Sequence, residues 1–467
     1  MKAFIMDMAW TGFKVSFGLT SLAAVWVNAG LKNGALWAKD TEAEKKELAL
    51  SQARYWGLER EPLLGFRHAF FTTRAGVRVH YVTNAKPGEM EGKNVAIFIH
   101  GFPDSFLLWR HILQSPALHG NHILIAVDLP GYGGSDSLPN YGAYEVLETM
   151  AEFILDMRKQ YLQTGGKVVI ATHDWGALVG ARLASEAAHL ADHWVISSGM
   201  IPHLTASNSA SQMVLFKQML RTWLHTPLNF RLLKTAFATL IPVGSQFRKS
   251  FYIFCFLLPW PFSGFFATFG NYWWLRILHS LDDGKAHEED ELIGRLDPKK
   301  AGEAMTMSAG PSPAQLTAMA DLRYGESVRK RVADRGMSQK IGIYRHGLFV
   351  GKWEKSLETT AALFELAPAT QPGSFLGDAP QGALKAPTTF ILGERDPAFD
   401  QRLVLGNIKD YLVRGSQVML VKDAGHWLPL ESDGRVVLEK SVQWALDRQT
   451  KATPFPTMSE VKVVMEI

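Results

Sequence analysis

Val168-Val169-Ile170-Ala171-Thr172-His173-Asp174-Trp175-Gly176-Ala177 is the stretch whose reading decides the fold. Its first four residues form an apolar run, the mark of a strand buried on both faces. The residues after Asp174 read as a helix. A strand that turns sharply into a helix presents its apex side chain above the sheet, and the crowded backbones there require small neighbours. Gly176, Ala177 and Gly180 supply them. A carboxylate at the apex needs no base to deprotonate it, since its reference pKa is about 4. Asp174 therefore reads as a nucleophile that forms an ester with its substrate. The competing reading is an aspartate that only caps the following helix.

Outward from this turn, Val95–Ile99 and Ile123–Val127 are two more buried apolar strands, and Phe70–Thr73 with Val77–Thr83 predicts a hairpin around Arg74-Ala75-Gly76. Tyr144–Leu162 has helical periodicity and stops at Gly165-Gly166. Trp194–Ser198, Thr388–Leu392 and Val418–Val421 continue the strands, and Val436–Leu446 closes the pattern as a helix. Strands alternating with helices predict an α/β architecture, a mostly parallel sheet with helices on both faces. The alternation stops between about 201 and 385, where Phe, Trp and Leu dominate at helical lengths. That stretch reads as a large helical lid inserted into the core, bounded by irregular segments at Met307–Pro313 and Ala367–Leu384. A membrane-spanning reading of Phe251–Phe266 is opposed by Pro259 and Pro261, which break the run. The expected division is an N-terminal apolar segment (1–50), two core portions (51–200 and 386–450) flanking the lid (201–385), and a C-terminal tail (451–467).

Composition sets outer limits. With 49 Lys and Arg against 45 Asp and Glu, the net charge of +4 leaves no electrostatic footprint for nucleic acid. A hydrophobic share of 47% supports a large buried core rather than disorder. The single cysteine, Cys255, excludes an internal disulfide and a Cys-based zinc site. Val15–Leu31 carries no charge and stands at the lower length limit for a membrane helix. It reads as a helix packed on the protein or lying on a membrane surface, with a single anchoring helix as the alternative. No N-x-Ser/Thr sequon occurs, and the start of the chain lacks the pattern of a secretory signal, so an intracellular location, with or without membrane association, is expected.

Two further segments complete the chemistry. His100-Gly101-Phe102-Pro103 follows the strand Val95–Ile99, where the Phe102 N–H can join that of Trp175 in stabilising negative charge on the nucleophile's second oxygen. Asp396 and His426 follow the later strands in the order nucleophile, acid, histidine. Asp396 would fix the imidazole tautomer and His426 would take a proton from water. Asp128-Leu129-Pro130-Gly131-Tyr132-Gly133-Gly134-Ser135-Asp136 reads as a structural turn.

Together these motifs resemble the α/β-hydrolase fold and, within it, the epoxide hydrolases. The likeness spans the core in the family's order, from HGFP through DLPGYGGSD, HDWGA and the Asp396 loop to Asp423-Ala424-Gly425-His426-Trp427. It implies two lid tyrosines that bind and protonate the epoxide oxygen. Tyr344, in Ile343-Tyr344-Arg345-His346, and Tyr252, in Tyr252-Ile253-Phe254-Cys255-Phe256, match that pattern. The resemblance implies a small-molecule epoxide as substrate, a vicinal diol as product, and no metal or organic cofactor, while the long lid and the N-terminal apolar segment together suggest that the substrate is lipophilic. His100, Gly101 and Pro103 are expected beside the substrate. Thr172 departs from the family, standing where glycine is usual, and the lid is unusually long and apolar. Haloalkane dehalogenation, a biosynthetic cyclisation and a non-catalytic binding protein on the same fold are the alternatives.

Overall fold

Residues 2–32, 34–85, 93–280, 297–316, 322–367, 379–447, 453 and 455–467 are described by the computed structural model. Nine strands form one sheet in the order β1-β2-β4-β3-β5-β6-β7-β8-β9. β1 (Arg67–Thr72) and β2 (Arg78–Thr83) make an antiparallel hairpin at one edge, and β2 pairs antiparallel with β4 (Ile123–Val127). β3 (Val95–Ile99), β4, β5 (Val168–His173), β6 (His193–Ser197), β7 (Thr388–Gly393) and β8 (Gln417–Val421) are parallel. β9 (Val461–Glu466) adds an antiparallel edge to β8, so the expected C-terminal tail is in part the last strand. Its burial alternates from residue to residue in the way of an edge strand with one wet face, although its sequence, VKVVME, does not alternate strictly.

Every residue of β3 to β8 is buried, and the period of two divides them between two cores. Val95, Ile97, Ile99, Ile125 and Ile170 face the core covered by the helices Ala143–Tyr161 and Trp175–Glu186. Ala96, Phe98, Leu124, Val169 and Ala171 face the one covered by Ser432–Leu446. Truncating such a residue, for instance Ile170→Ala, costs about 2–5 kcal/mol. The closing helix begins four residues before the expected Val436, because its polar first turn lies outside the apolar period.

The inserted stretch is helical, as expected, and Phe251–Leu257 is cut off from Phe262–Ser280 at Pro259 and Pro261. The latter is itself interrupted at Phe269–Tyr272, where four residues leave helical geometry. Met307 belongs to the helix Pro298–Ala309, so the irregular boundary expected there begins later. Much of the boundary expected at Ala367–Leu384 lies outside the described residues.

The N-terminal helix, Lys2–Val25, continues as a π-helix through Lys32 and lies on the lid. A Cβ on Gly18 would stand 2.6 Å from the Phe254 carbonyl oxygen, and Phe17 and Phe254 meet edge to face at 4.9 Å. Among the described residues no helix is long and apolar enough to cross a membrane, which removes the anchoring alternative for this helix and the spanning one for Phe251–Phe266.

Candidate active site

β5 ends at His173, the helix Trp175–Glu186 starts one residue after Asp174, and Asp174 carries the turn alone. Its φ of 53° and ψ of −118° are a strained conformation for a residue with a Cβ, held by the close packing around it. Glycine is required on both sides. A Cβ on Gly176 would lie 2.3 Å from the His100 carbonyl oxygen, and one on Gly101 would lie 2.4 Å from Asp174 Oδ1. The departure at Thr172 is accommodated because Gly180 leaves room for its methyl, which would otherwise meet a Cβ at 2.8 Å.

The two carboxylate oxygens have different partners. Oδ1 accepts a hydrogen bond from the Phe102 N–H at 2.7 Å. Oδ2 faces His426 Nε2 at 3.5 Å. The Trp175 N–H belongs to the first turn of its helix, where backbone donors have no intrahelical acceptor, and it stands against Gly101. His426 Nδ1 is 2.9 Å from Asp396 Oδ2, and Asp396 Oδ1 accepts from the Ala398 N–H at 2.7 Å. Burial disfavours the imidazolium, yet the charges of Asp396 and Asp174 and the hydrogen bonds to both outweigh it and raise the His426 pKa well above its usual value. His173 Nε2 bonds the His426 carbonyl at 2.8 Å; burial first, and then His426, lowers its pKa to about 4, so it is a neutral donor that ties the histidine loop to β5.

The lid closes the site from above. Tyr252 and Tyr344 line a cavity of about 240 Å3 together with Phe102, Asp174, His426 and Trp427. Tyr344 packs edge to face on Trp175 at 4.7 Å and on Phe102 at 5.2 Å. Burial, and then the charge of Asp174, pushes both phenol pKa values upward, so both hydroxyls stay protonated. Arg345 donates to the carbonyls of Phe256 and Leu258, tying the helix of Tyr344 to the one carrying Tyr252.

Three of the expected substrate neighbours serve the frame instead. His100 is fully buried, its Nε2 accepts from the Leu129 N–H at 2.9 Å and its Nδ1 meets the Gly101 carbonyl, so its ring braces two loops. Gly101 supplies space, and Pro103 follows the cis Phe102–Pro103 peptide; neither lines the cavity. The reading from sequence passes over Asp104, the next residue. It is buried, Oδ2 accepts from Trp427 Nε1 at 3.3 Å, and Oδ1 has no partner among the described residues. Burial, and then the charge of Asp174, raises its pKa to about 7. The available signal was its place directly after HGFP, which an isolated aspartate in a turn does not distinguish. The apolar wall of Phe251, Trp274 and Leu278 was equally hidden, since one aromatic lid residue reads like another.

The model of the Alpha/beta hydrolase family matches residues 96–440. The chain belongs to that family. Epoxide hydrolase 2 of Caenorhabditis elegans is 31% identical over 150 residues, 31% of this chain and 38% of that protein. Epoxide hydrolase 3 of Mus musculus is 30% identical over 149 residues, 30% of this chain and 38% of that one. This hydrolase-family chain thus matches under two-fifths of the length of either relative. Cfl2 of Burkholderia cenocepacia, a crystal structure, superposes with a TM-score of 0.50 at 17% identity, over 82% of this chain and 96% of that one, a likeness of fold.

Proposed function

We propose that the chain is an epoxide hydrolase that opens a lipophilic epoxide to a vicinal diol through an ester on Asp174. The observation that carries this reading is the division of labour on one carboxylate, with Oδ1 held by a backbone N–H and Oδ2 turned to the cavity and His426. Oδ2 attacks an epoxide carbon, the carbon–oxygen bond breaks, and a proton from Tyr344 or Tyr252 satisfies the alkoxide. Esterification removes the Asp174 charge, one of the causes that keep His426 protonated, so the imidazolium passes its proton to the tyrosinate left by ring opening, which restores the phenol and leaves His426 a free base. Water then adds to Cγ of the ester while His426 Nε2 takes its proton. Negative charge develops on Oδ1, where the Phe102 and Trp175 N–H groups stabilise it. Collapse expels the glycol oxygen, which is protonated from His426, and Asp174 is regenerated.

The relatives named epoxide hydrolases support this chemistry. Haloalkane dehalogenation, which needs free N–H donors for a halide, is disfavoured because Phe102 offers no side-chain donor and Tyr344 packs edge to face on Trp175 at 4.7 Å. The test is peptide mass spectrometry on His426→Gln incubated with a reactive epoxide. Without the base the ester accumulates, and the Asp174 peptide gains the mass of one epoxide. An unmodified peptide across aryl and alkyl epoxides refutes the proposal.

A further inference from the structure

From residue 201 to 280 the chain contains no Asp or Glu and seven Lys or Arg, where its average composition would place about eight acidic residues. The same is true of 8–39, with Lys14, Lys32 and Lys39 and no acid. These two stretches pack on one another. Phe247 meets Trp10 at 6.4 Å and Phe13 at 5.6 Å, and Cys255 Sγ lies 3.8 Å from the Gly18 carbonyl oxygen.

The helix Pro202–His225 leaves the body of the protein after Asn208, since none of its later residues is buried. It pairs with Phe230–Thr239, in which only Ala236 is buried, through contacts such as Phe216 on Phe237 at 5.4 Å. The connection between them is apolar and open to solvent. Leu224 is 64% exposed, Leu228 85% and Phe230 67%. Lys217, Arg221, Arg231 and Lys234 flank this tip on the two helices. The outer face of the N-terminal helix is equally uncovered, with Trp10, Leu19 and Trp26 exposed. Exposed apolar side chains gathered on this scale mark an interaction site. Exposed apolar side chains bordered by cations and free of anions match the boundary of an anionic lipid leaflet, where the apolar tip enters the acyl region and the cations meet phosphate.

We propose that the Pro202–Thr239 helical hairpin and the outer face of the N-terminal helix form an interfacial docking surface for an anionic phospholipid membrane, entering one leaflet without crossing it. Arg248 and Lys249, which follow the hairpin in the same acid-free stretch, line the cavity. The docking is independent of the chemistry proposed for Asp174.

The experiment is flotation of the full chain with vesicles of phosphatidylcholine alone and of phosphatidylcholine with roughly one-third phosphatidylserine. The wild type floats with the anionic vesicles, and raising NaCl from ~0.1 to ~1 M releases most of it, because the screening length falls from about 10 to about 3 Å. Leu224→Ser/Leu228→Ser/Phe230→Ser weakens partitioning at least ~10-fold. Lys217→Gln/Arg221→Gln/Arg231→Gln/Lys234→Gln weakens it by ~5-fold per charge removed. These side chains lie outside the core, and unchanged thermal melts establish that both variants fold. A wild type that stays at the bottom of both gradients, or a tip variant that floats equally well, overturns the proposal. So does a salt-insensitive dimer that the tip variant dissociates, since a second copy then covers the surface. An inactive chain that floats would reject the hydrolase reading and leave this one standing, while an active chain that never floats does the reverse.

Discussion

Replacing Tyr344 by phenylalanine removes one oxygen atom from the lid wall of the cavity. The ring keeps its contacts with Trp175 at 4.7 Å, Phe102 at 5.2 Å and Phe256 at 5.2 Å, so the packing survives. What is lost is a hydroxyl that donates to oxygen as it becomes an alkoxide. A hydrogen bond to a charged group contributes about 1.5–3 kcal/mol, which corresponds to a roughly 10- to 150-fold slower ring opening. Tyr252 covers the same cavity with its ring centre 6.0 Å from that of Tyr344, so Tyr252→Phe incurs a loss of the same order. The double variant leaves the alkoxide no phenol and falls below either single one. Because burial and Asp174 push both phenols upward, the alkylation rate has no descending limb from tyrosine ionisation below about pH 10. The assay is the rate of Asp174 ester formation in the His426→Gln background, followed by quenched-flow mass spectrometry at saturating epoxide. Thermal melts serve as the control for folding. If Tyr344→Phe with an unchanged melt forms ester within twofold of its parent, the assignment of Tyr344 as proton donor is wrong.

Other consequences follow from the same geometry. Gly101→Ala places a Cβ 2.4 Å from Asp174 Oδ1, and steady-state kinetics should show turnover lowered more than ~100-fold, with about 1–3 kcal/mol lost in a denaturant melt. Asp104→Asn preserves an acceptor for Trp427 but removes a carboxyl whose pKa burial raises to about 7. Single-turnover ester formation, which starts from the charged Asp174 that helps raise this pKa, should lose an inflection near that pH; an unchanged pH profile would exclude Asp104 from the titrations that shape this step. Burial lowers the pKa of His100 and His173 to about 4 and of His193 and His279 to about 3. The unfolded chain protonates such rings near pH 6.5 while the folded one does not, so stability is lost as pH falls from there toward about 4, by up to ~3 kcal/mol per ring. His426, raised despite burial, acts in the opposite sense to these rings. Chemical denaturation between pH 7 and 4 checks this, and a flat stability curve would contradict it.

The core sheet was legible in the sequence because strands buried on both faces must be apolar throughout, and β3, β4 and β5 begin where their apolar runs begin. Asp174 was legible for a related reason: a turn this tight admits few residue types around its apex, and Gly176 and Gly180 reveal the crowding one residue at a time. β9 escaped notice because the six residues VKVVME beyond the closing helix carry no strict alternation and form a strand only through β8, a partner 40 to 49 positions earlier. Asp104 and the cavity wall of Phe251, Trp274 and Leu278 escaped because their meaning lies in which way they face, and the interior of a helical lid writes no period that separates cavity from core.

The sequence by itself determined the alternation of core strands and helices and the sharp turn at Asp174, since these are imposed by local sterics and burial, and the chain order of the motifs pointed to Asp396 and His426. Only the tertiary structure decided that Oδ1 meets the Phe102 N–H while Oδ2 meets His426, that His100 braces loops instead of touching substrate, and that the two lid tyrosines share one cavity. Those are distances between residues about 30 to 250 positions apart, fixed by how the layers pack, and no local pattern encodes them.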